Sequence, residues 1–300
     1  MTHRLDSMFD QVNRFVSRFR DLEQQEFNHT REEEQQWRLL KEKLAASPII
    51  EEPQQVLSRK CIVVTSLYEQ AGASFIAGNV AYALASQGLS VTLCEYPGSS
   101  SYYYFALDFE RRVKPQRVND STTSMLLLQN NQLRIQIDPP YPHHPSSQID
   151  TADWLLRTSK ESPLVVIDLS SRWREPEAKR IFDLADEIWV IFDADIARLT
   201  RLFLMEAAPS WWHTAGKRMR WIANKWNDRL ARSSMMKRVE GTLSLWGREP
   251  KSIDIHATLP HFDGEKTAMA HVKGSLLLEL YPEEEEKFQS LVYACKGRLP

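Results

Sequence analysis

The segment with the clearest chemical potential is the turn SLYEQAGAS at residues 66–74. It lies between a β-branched run at 61–65, which predicts a buried strand, and a stretch at 75–87 that predicts a helix. A turn in this setting cradles phosphate when it has the pattern G-x-x-x-x-G-K-[ST]. Two of the four defining positions are retained and two are replaced; the retained residues are Gly72 and Ser74, and the replacements are Leu67 and Ala73.

The replacement of the lysine by Ala73 decides which chemistry remains possible. Phosphoryl transfer depends on neutralising the charge that spreads over the transferring group, and an alanine methyl carries no charge. The N-terminus of the following helix still offers free N–H groups and a partial positive charge, which permits weak anion binding. The alternative is that Gly72–Ser74 only begins the helix, with Ser74 as a cap.

The elements that would position this turn alternate between strand and helix from residue 61 onward. This order predicts an α/β domain with a doubly wound, mostly parallel sheet flanked by helices. The predicted strands are 61–65, 90–95, 133–137, 164–168, 187–192, 219–224 and 253–258. The predicted helices are 74–87, 151–159, 175–184, 196–208, 228–246 and 283–296. No element is assigned within 97–130.

Composition narrows the function classes. The chain has 300 residues and a formal net charge of −2, so no overall attraction to nucleic acid follows. Its three cysteines have no paired spacing, which disfavours a disulfide or zinc framework and indicates a reducing cytoplasm. No apolar run approaches the roughly 20 residues that span a bilayer. We therefore expect a cytoplasmic protein, peripheral to a membrane at most through a partner.

A series of segments in order resembles the ParA/MinD family of deviant Walker ATPases along most of residues 58–282. The segments occur in the same order as in the family. They are VVTS at 63–66, NVAYALA at 79–85, VTLCEYP at 91–97, LVVIDLS at 164–170, ADEIWVIF at 185–192, WIANK at 221–225 and ATLPHFD at 257–263. The resemblance implies the fold of that family and a magnesium-nucleotide site.

The resemblance also implies which residues would form that site. Asp168 falls at the acidic position of the Walker B strand, and Asn224 falls where the family's asparagine meets adenine. Ser74 and Asp168 are the positions suited to magnesium. The complete vestigial set is Gly72, Ala73, Ser74, Glu95, Asp168 and Asn224. ATP or ADP with Mg²⁺ would bind weakly, if the pocket is retained; Asp168 as a turn cap and Asn224 as a loop-satisfying amide are the structural alternatives.

Departures from the family pattern predict lost catalysis. Tyr68 replaces the signature lysine that reaches a partner's nucleotide across a dimer, and Glu69 adds negative charge where phosphates would lie. Glu95 alone matches the family's Asp-x-Asp-Pro. These departures predict a pseudo-ATPase that localises or scaffolds a cellular machine, similar to the TadZ/CpaE branch. The alternative is an atypical positioning ATPase rescued by Lys60, Lys225 or a partner subunit.

The first fifty residues form a separate predicted unit. Their apolar residues recur at three- and four-residue spacing and include the partner-binding candidates Leu5, Val12, Phe15 and Phe19. We expect a helical extension at 1–50, a linker at 51–57 and the α/β domain at 58–300. The extension is predicted to dimerise, dock a protein partner or fold back onto the sheet domain, while its mixed charges disfavour an anionic membrane.

A basic patch spans residues 217–238. Its DNA-contact candidates are Arg229 and Arg232. Such a patch could bind DNA nonspecifically through phosphate contacts, and a nucleotide-independent DNA tether is the third function considered. The alternative for the patch is an ordinary solvated helix face.

Overall fold

The computed structural model describes residues 59–96, 101–112, 124–137, 151–215, 218–227, 232–246 and 255–296. These residues belong to the unit that spans Leu57–Pro300. The predicted helices of the N-terminal extension and the linker lie outside the described residues.

The described chain is built on an eight-stranded sheet. Its strands are β1 (Lys60–Ser66), β2 (Val91–Glu95), β3 (Ser124–Leu128), β4 (Leu133–Ile137), β5 (Leu164–Ser170), β6 (Glu187–Asp193), β7 (Met219–Trp226) and β8 (Ile255–Pro260). Their order across the sheet is β3-β4-β2-β5-β1-β6-β7-β8. Every pairing is parallel except that of β3 with β4, which closes one edge as a hairpin.

Helices connect and cover the strands. They are α1 (Ala73–Ser86), α2 (Tyr102–Ala106), α3 (Phe109–Arg112), α4 (Thr151–Glu161), α5 (Ala178–Leu184), α6 (Ile196–Met205), α7 (Ser210–Ala215), α8 (Arg232–Leu243), α9 (Gly264–Val272), α10 (Leu277–Leu280) and α11 (Gln289–Lys296), with 3₁₀ turns at Ser244–Trp246 and Pro282–Phe288. The central strands are buried along almost their whole length, as expected for a sheet covered on both faces.

The structure confirms the predicted α/β class and all seven predicted strands, and it corrects several details. The unassigned segment 97–130 contains β3 and two short helices. The helix predicted at 196–208 ends at Met205, and a separate helix begins at Ser210, directly after Pro209, which lacks the N–H that a continuous helix would need. The helix predicted at 283–296 begins as a 3₁₀ turn.

The sheet order determines where a site can form. β1 lies between β5 and β6. The connection that follows β1 leads to β2 on one side of β1, and the connection that follows β6 leads to β7 on the other side. In open α/β sheets, ligands bind at such a topological switch point. The turn after β1 therefore lies where the fold favours a binding cleft.

An aromatic cluster belongs to the hydrophobic core. Trp173, Trp211, Trp212, Trp246 and Phe203 contact one another with ring centroids 4.1–6.2 Å apart. Large buried aromatic rings contribute much apolar area, so this cluster forms a substantial part of the hydrophobic core. No helix among the described residues is long and apolar enough to cross a membrane.

Candidate functional site

The turn after β1 begins α1 with a left-handed glycine. Gly72 is the N-cap residue with φ +100°, and its carbonyl accepts the first helical hydrogen bond from Ile76. A Cβ at Gly72 would lie 2.3 Å from Nδ2 of Asn224, which donates a hydrogen bond of 2.8 Å to the Ala71 carbonyl. Glycine is therefore required both by the backbone angle and by the close approach of Asn224.

Tyr68, at the position of the family's signature lysine, is built into the core. Its side chain is buried, and Arg198 stacks over the ring at 4.5 Å. The Tyr68 hydroxyl donates to Oδ1 of Asp193 at 2.8 Å and accepts from the Asp193 N–H at 3.2 Å. Burial raises the pKa of Tyr68 well above its usual range. This side chain holds the turn against β6 and carries no positive charge toward the cleft.

Leu67 and Ala73, which replace the first glycine and the lysine, are also buried. The Leu67 N–H donates to the Ile191 carbonyl at 3.3 Å, and the Leu67 carbonyl accepts from Nε1 of Trp173 at 3.0 Å. The first half of the turn is therefore held by the core through Leu67 and Tyr68.

Asp168 and Ser74 are brought together by β5 and α1. The Ser74 hydroxyl lies 2.9 Å from the Ser170 hydroxyl, and Oδ1 of Asp168 accepts from the Ser170 N–H at 2.8 Å. Oδ2 of Asp168 is buried and has no hydrogen-bond partner among the described residues. Burial raises the pKa of the Asp168 carboxyl, although hydrogen bonding from the Ser74 hydroxyl and from the Ser170 N–H opposes this shift.

Glu95 lies beside Asp168 in the β2–β5 register, but its contacts are structural. Its carboxylate accepts from the backbone N–H groups of Tyr102 at 2.6 Å and Tyr103 at 3.3 Å and from the Ser101 hydroxyl. These bonds satisfy the N-terminus of α2. Burial raises the pKa of Glu95 to about 7, with the neighbouring charge of Asp168 acting in the same direction.

An open cleft of about 650 Å³ lies against this turn. Its lining combines the turn and the start of α1 with the end of β7, α9 and the loop before α9. Of the predicted site residues, Gly72, Ala73, Ser74 and Asn224 line it. The charged groups that line it include Glu69 and Lys225, both exposed. Sequence reasoning did not predict the aromatic wall, which includes Phe75, Tyr102 and Phe262.

The cleft residues and the neighbouring Asp168, which does not itself line the cleft, fit only part of a magnesium-nucleotide. The unpartnered Oδ2 of Asp168 and the Ser74 hydroxyl are oxygen groups of the kind that Mg²⁺ and its waters prefer. Asn224 has a buried Oδ1 that has no hydrogen-bond partner in the described part of the chain and could accept from a ligand donor. Positions 68 and 73 do not fit the triphosphate, because neither supplies charge. Within the described ranges, no group of three His, Cys, Asp or Glu side chains could hold a metal ion.

Leu5, Val12, Phe15 and Phe19 lie outside the described residues, as does Arg229. Arg232 begins α8, and its backbone alone is described. The partner and DNA candidates therefore stay predictions.

The comparison with solved structures identifies the architecture. MinD from Pyrococcus furiosus superposes with a TM-score of 0.56 at 12% identity, covering 79% of this chain and 98% of that one. The Aquifex aeolicus MinC:MinD complex gives 0.55 at 15% identity over 80% and 97%. A ParA family ATPase from Chlorobium tepidum gives 0.51 at 14% identity over 79% and 97%. The chain has the ParA/MinD fold.

The ParA/MinD fold here is recognisable from structure rather than from overall sequence similarity. No protein-family model matches the sequence. No curated protein matches it either. The short segments that carry the resemblance lie mainly on α1 and on the strands β1, β2, β5, β6, β7 and β8.

Proposed function

We propose that this chain is a ParA/MinD-type positioning protein that acts as a scaffold for a cellular machine and does not hydrolyse ATP efficiently. The observation that carries the proposal is the burial of Tyr68 and its hydrogen bonds to Asp193. A side chain held in this way cannot serve as a mobile cation for a bound or neighbouring nucleotide. Ala73 supplies no charge either, so two sources of transition-state stabilisation are absent.

The names of the superposed structures support the positioning part of the proposal. One is a cell division ATPase, one is a cell division protein in complex with MinC, and one is a ParA family ATPase. By this analogy, the chain binds a protein partner or a second copy of itself. We propose that this contact uses the regularly spaced apolar residues of the N-terminal extension. The contact candidates are Leu5, Val12, Phe15 and Phe19. The cytoplasm is the proposed compartment.

Nucleotide affinity should respond to restoring the missing charge. We expect Ala73→Lys to bind Mg-ATP at least roughly tenfold more tightly than Ala73→Met, because a charge-assisted hydrogen bond to phosphate contributes more than a neutral side chain of similar length. Calorimetric titration measures both affinities. Melting temperatures of the two variants establish that each is folded.

Equal affinities of the folded lysine and methionine variants would contradict this account of the turn. That result would mean that position 73 does not face the phosphate position, although Ala73 lines the cleft.

A further inference from the structure

Lys225 is placed at the cleft by an unusual backbone arrangement. Its φ is +53°, a left-handed conformation that is costly for a residue other than glycine. The register between β7 and β8 shifts between Ala223 and Trp226, so the irregularity falls on Asn224 and Lys225. Irregularities of this kind next to functional sites re-aim a side chain.

The re-aimed side chain reaches the turn after β1. Nζ of Lys225 donates a hydrogen bond of 2.7 Å to the Gln70 carbonyl, and the residue is exposed and lines the cleft together with Gly72 and Ser74. Gln70 is itself left-handed, with φ +66°. An ammonium group therefore lies across the mouth of the turn, whereas the lysine of the phosphate-binding pattern would project from position 73.

A second observation points to a ligand in the same cleft. Asn224, the neighbour of Lys225, is 2% exposed, and its Oδ1 has no hydrogen-bond partner among the described residues. A buried acceptor without a donor is costly unless a ligand supplies one. The aromatic side chains of Phe75 and Tyr102 line the cleft on the α1 and α2 sides, and they suit a flat ring that carries an amino group.

We infer that Lys225 is the anion-binding residue of this cleft and holds the phosphate groups of a nucleoside di- or triphosphate, in place of the lysine missing at position 73. The inference rests on the proposed retention of a nucleotide cleft, but it does not depend on whether hydrolysis occurs. The Gln70 carbonyl holds the ammonium in the free protein, and a phosphate oxygen replaces that carbonyl when ligand binds. Glu69 opposes the same anion.

Charge variants at the cleft test this inference, with Mg-ADP and inorganic pyrophosphate as probes. We expect Lys225→Met to weaken Mg-ADP binding by roughly tenfold or more, and Glu69→Gln to strengthen it severalfold. Lys273→Met, which removes an exposed lysine at the end of α9, is the matched control and should bind like the wild type. Pyrophosphate should show the same dependence on Lys225 with lower affinity, because it cannot satisfy Asn224.

Two results would overturn the inference. One is wild-type affinity in the folded Lys225→Met variant. The other is absence of binding of both probes to the wild-type protein at millimolar concentration. Because Lys225→Met also removes the bond to Gln70, its melting temperature is compared with that of Lys225→Asn, since asparagine tolerates the left-handed conformation. Loss of binding in both variants with unchanged melting assigns the effect to charge. ATP turnover is measured separately, so a failure here leaves the proposed loss of hydrolysis standing.

Discussion

Replacing Glu187 by alanine should lower the free energy of unfolding by about 3–5 kcal/mol, because it leaves the buried ammonium of Lys60 and the largely buried guanidinium of Arg220 without this counterion. Glu187 begins β6 and is 2% exposed. It pairs with Nζ of Lys60 at 3.1 Å and with Nε of Arg220 at 2.7 Å. Lys60 also donates to the Cys295 carbonyl, so the network links β1, β6, β7 and the C-terminal helix α11.

The stabilisation by Glu187 should also depend on pH. Burial alone would raise the pKa of Glu187, but the hydrogen bonds from Trp189 and Lys60 and the charge of Arg220 hold that pKa below its usual range. The unfolded state therefore binds the proton more readily, so this stabilisation is present above the unfolded pKa and is lost as pH falls through the folded pKa. The difference in free energy of unfolding between wild type and Glu187→Ala should therefore become smaller at acid pH.

Urea unfolding at neutral and acid pH measures both effects, with Glu187→Gln as a milder variant if the alanine variant does not fold. Glu206→Ala is the matched control, because its ion pair with Arg174 is solvent-exposed and should contribute no more than about 1 kcal/mol. A loss for Glu187→Ala no larger than the control's would contradict the account. The network also places Lys60 at the opposite end of β1 from the cleft, which removes it as a substitute for the missing lysine.

Gly72→Ala should lower the free energy of unfolding by roughly 2–4 kcal/mol, because it combines a left-handed backbone with a steric clash. Its Cβ would lie 2.3 Å from Nδ2 of Asn224. Gly88→Ala is the matched control, because Gly88 has φ +85° but no heavy atom of the described residues lies within 4 Å of the place that an alanine Cβ would occupy. The control should cost only about 1–2 kcal/mol for the backbone strain.

A double-mutant cycle with Asn224→Ala separates the two components. We expect the double variant to lose less stability than the sum of the single variants, because removing the amide removes the clash. Thermal and urea unfolding measure the cycle. Strict additivity, or equal losses for Gly72→Ala and Gly88→Ala, would show that Asn224 does not restrain the turn.

The sheet is predictable because its central strands are continuous apolar runs separated by helical patterns. β3 is not, since this edge strand, which pairs antiparallel with β4, lies in a segment without clear periodicity. The break between α6 and α7 has a signal in Pro209, which disfavours a helix through that position. The turn after β1 is located correctly from the sequence because Gly72 and Ser74 keep their spacing.

The roles of individual site residues are less predictable because they depend on contacts between distant elements. The sequence indicates only that Tyr68 is not a lysine; its hydrogen bonds to Asp193 depend on the pairing of β1 with β6. Ser101, the N-cap residue of α2, is a weak indication in the sequence that a helix begins there and that Glu95 could contact its first N–H groups. The left-handed backbone of Lys225 results from the β7–β8 register shift, which no local pattern encodes.

We propose, as the central claim, that the chain keeps the ParA/MinD fold without efficient ATP hydrolysis. Phosphate release at saturating Mg-ATP tests it most directly, with Asp168→Asn as the matched variant because it removes the carboxylate suited to magnesium beside Ser74. We predict that wild type and Asp168→Asn release phosphate at the same rate, equal to that of ATP without protein. A magnesium-dependent wild-type rate that disappears in Asp168→Asn would contradict the claim and establish an active ATPase.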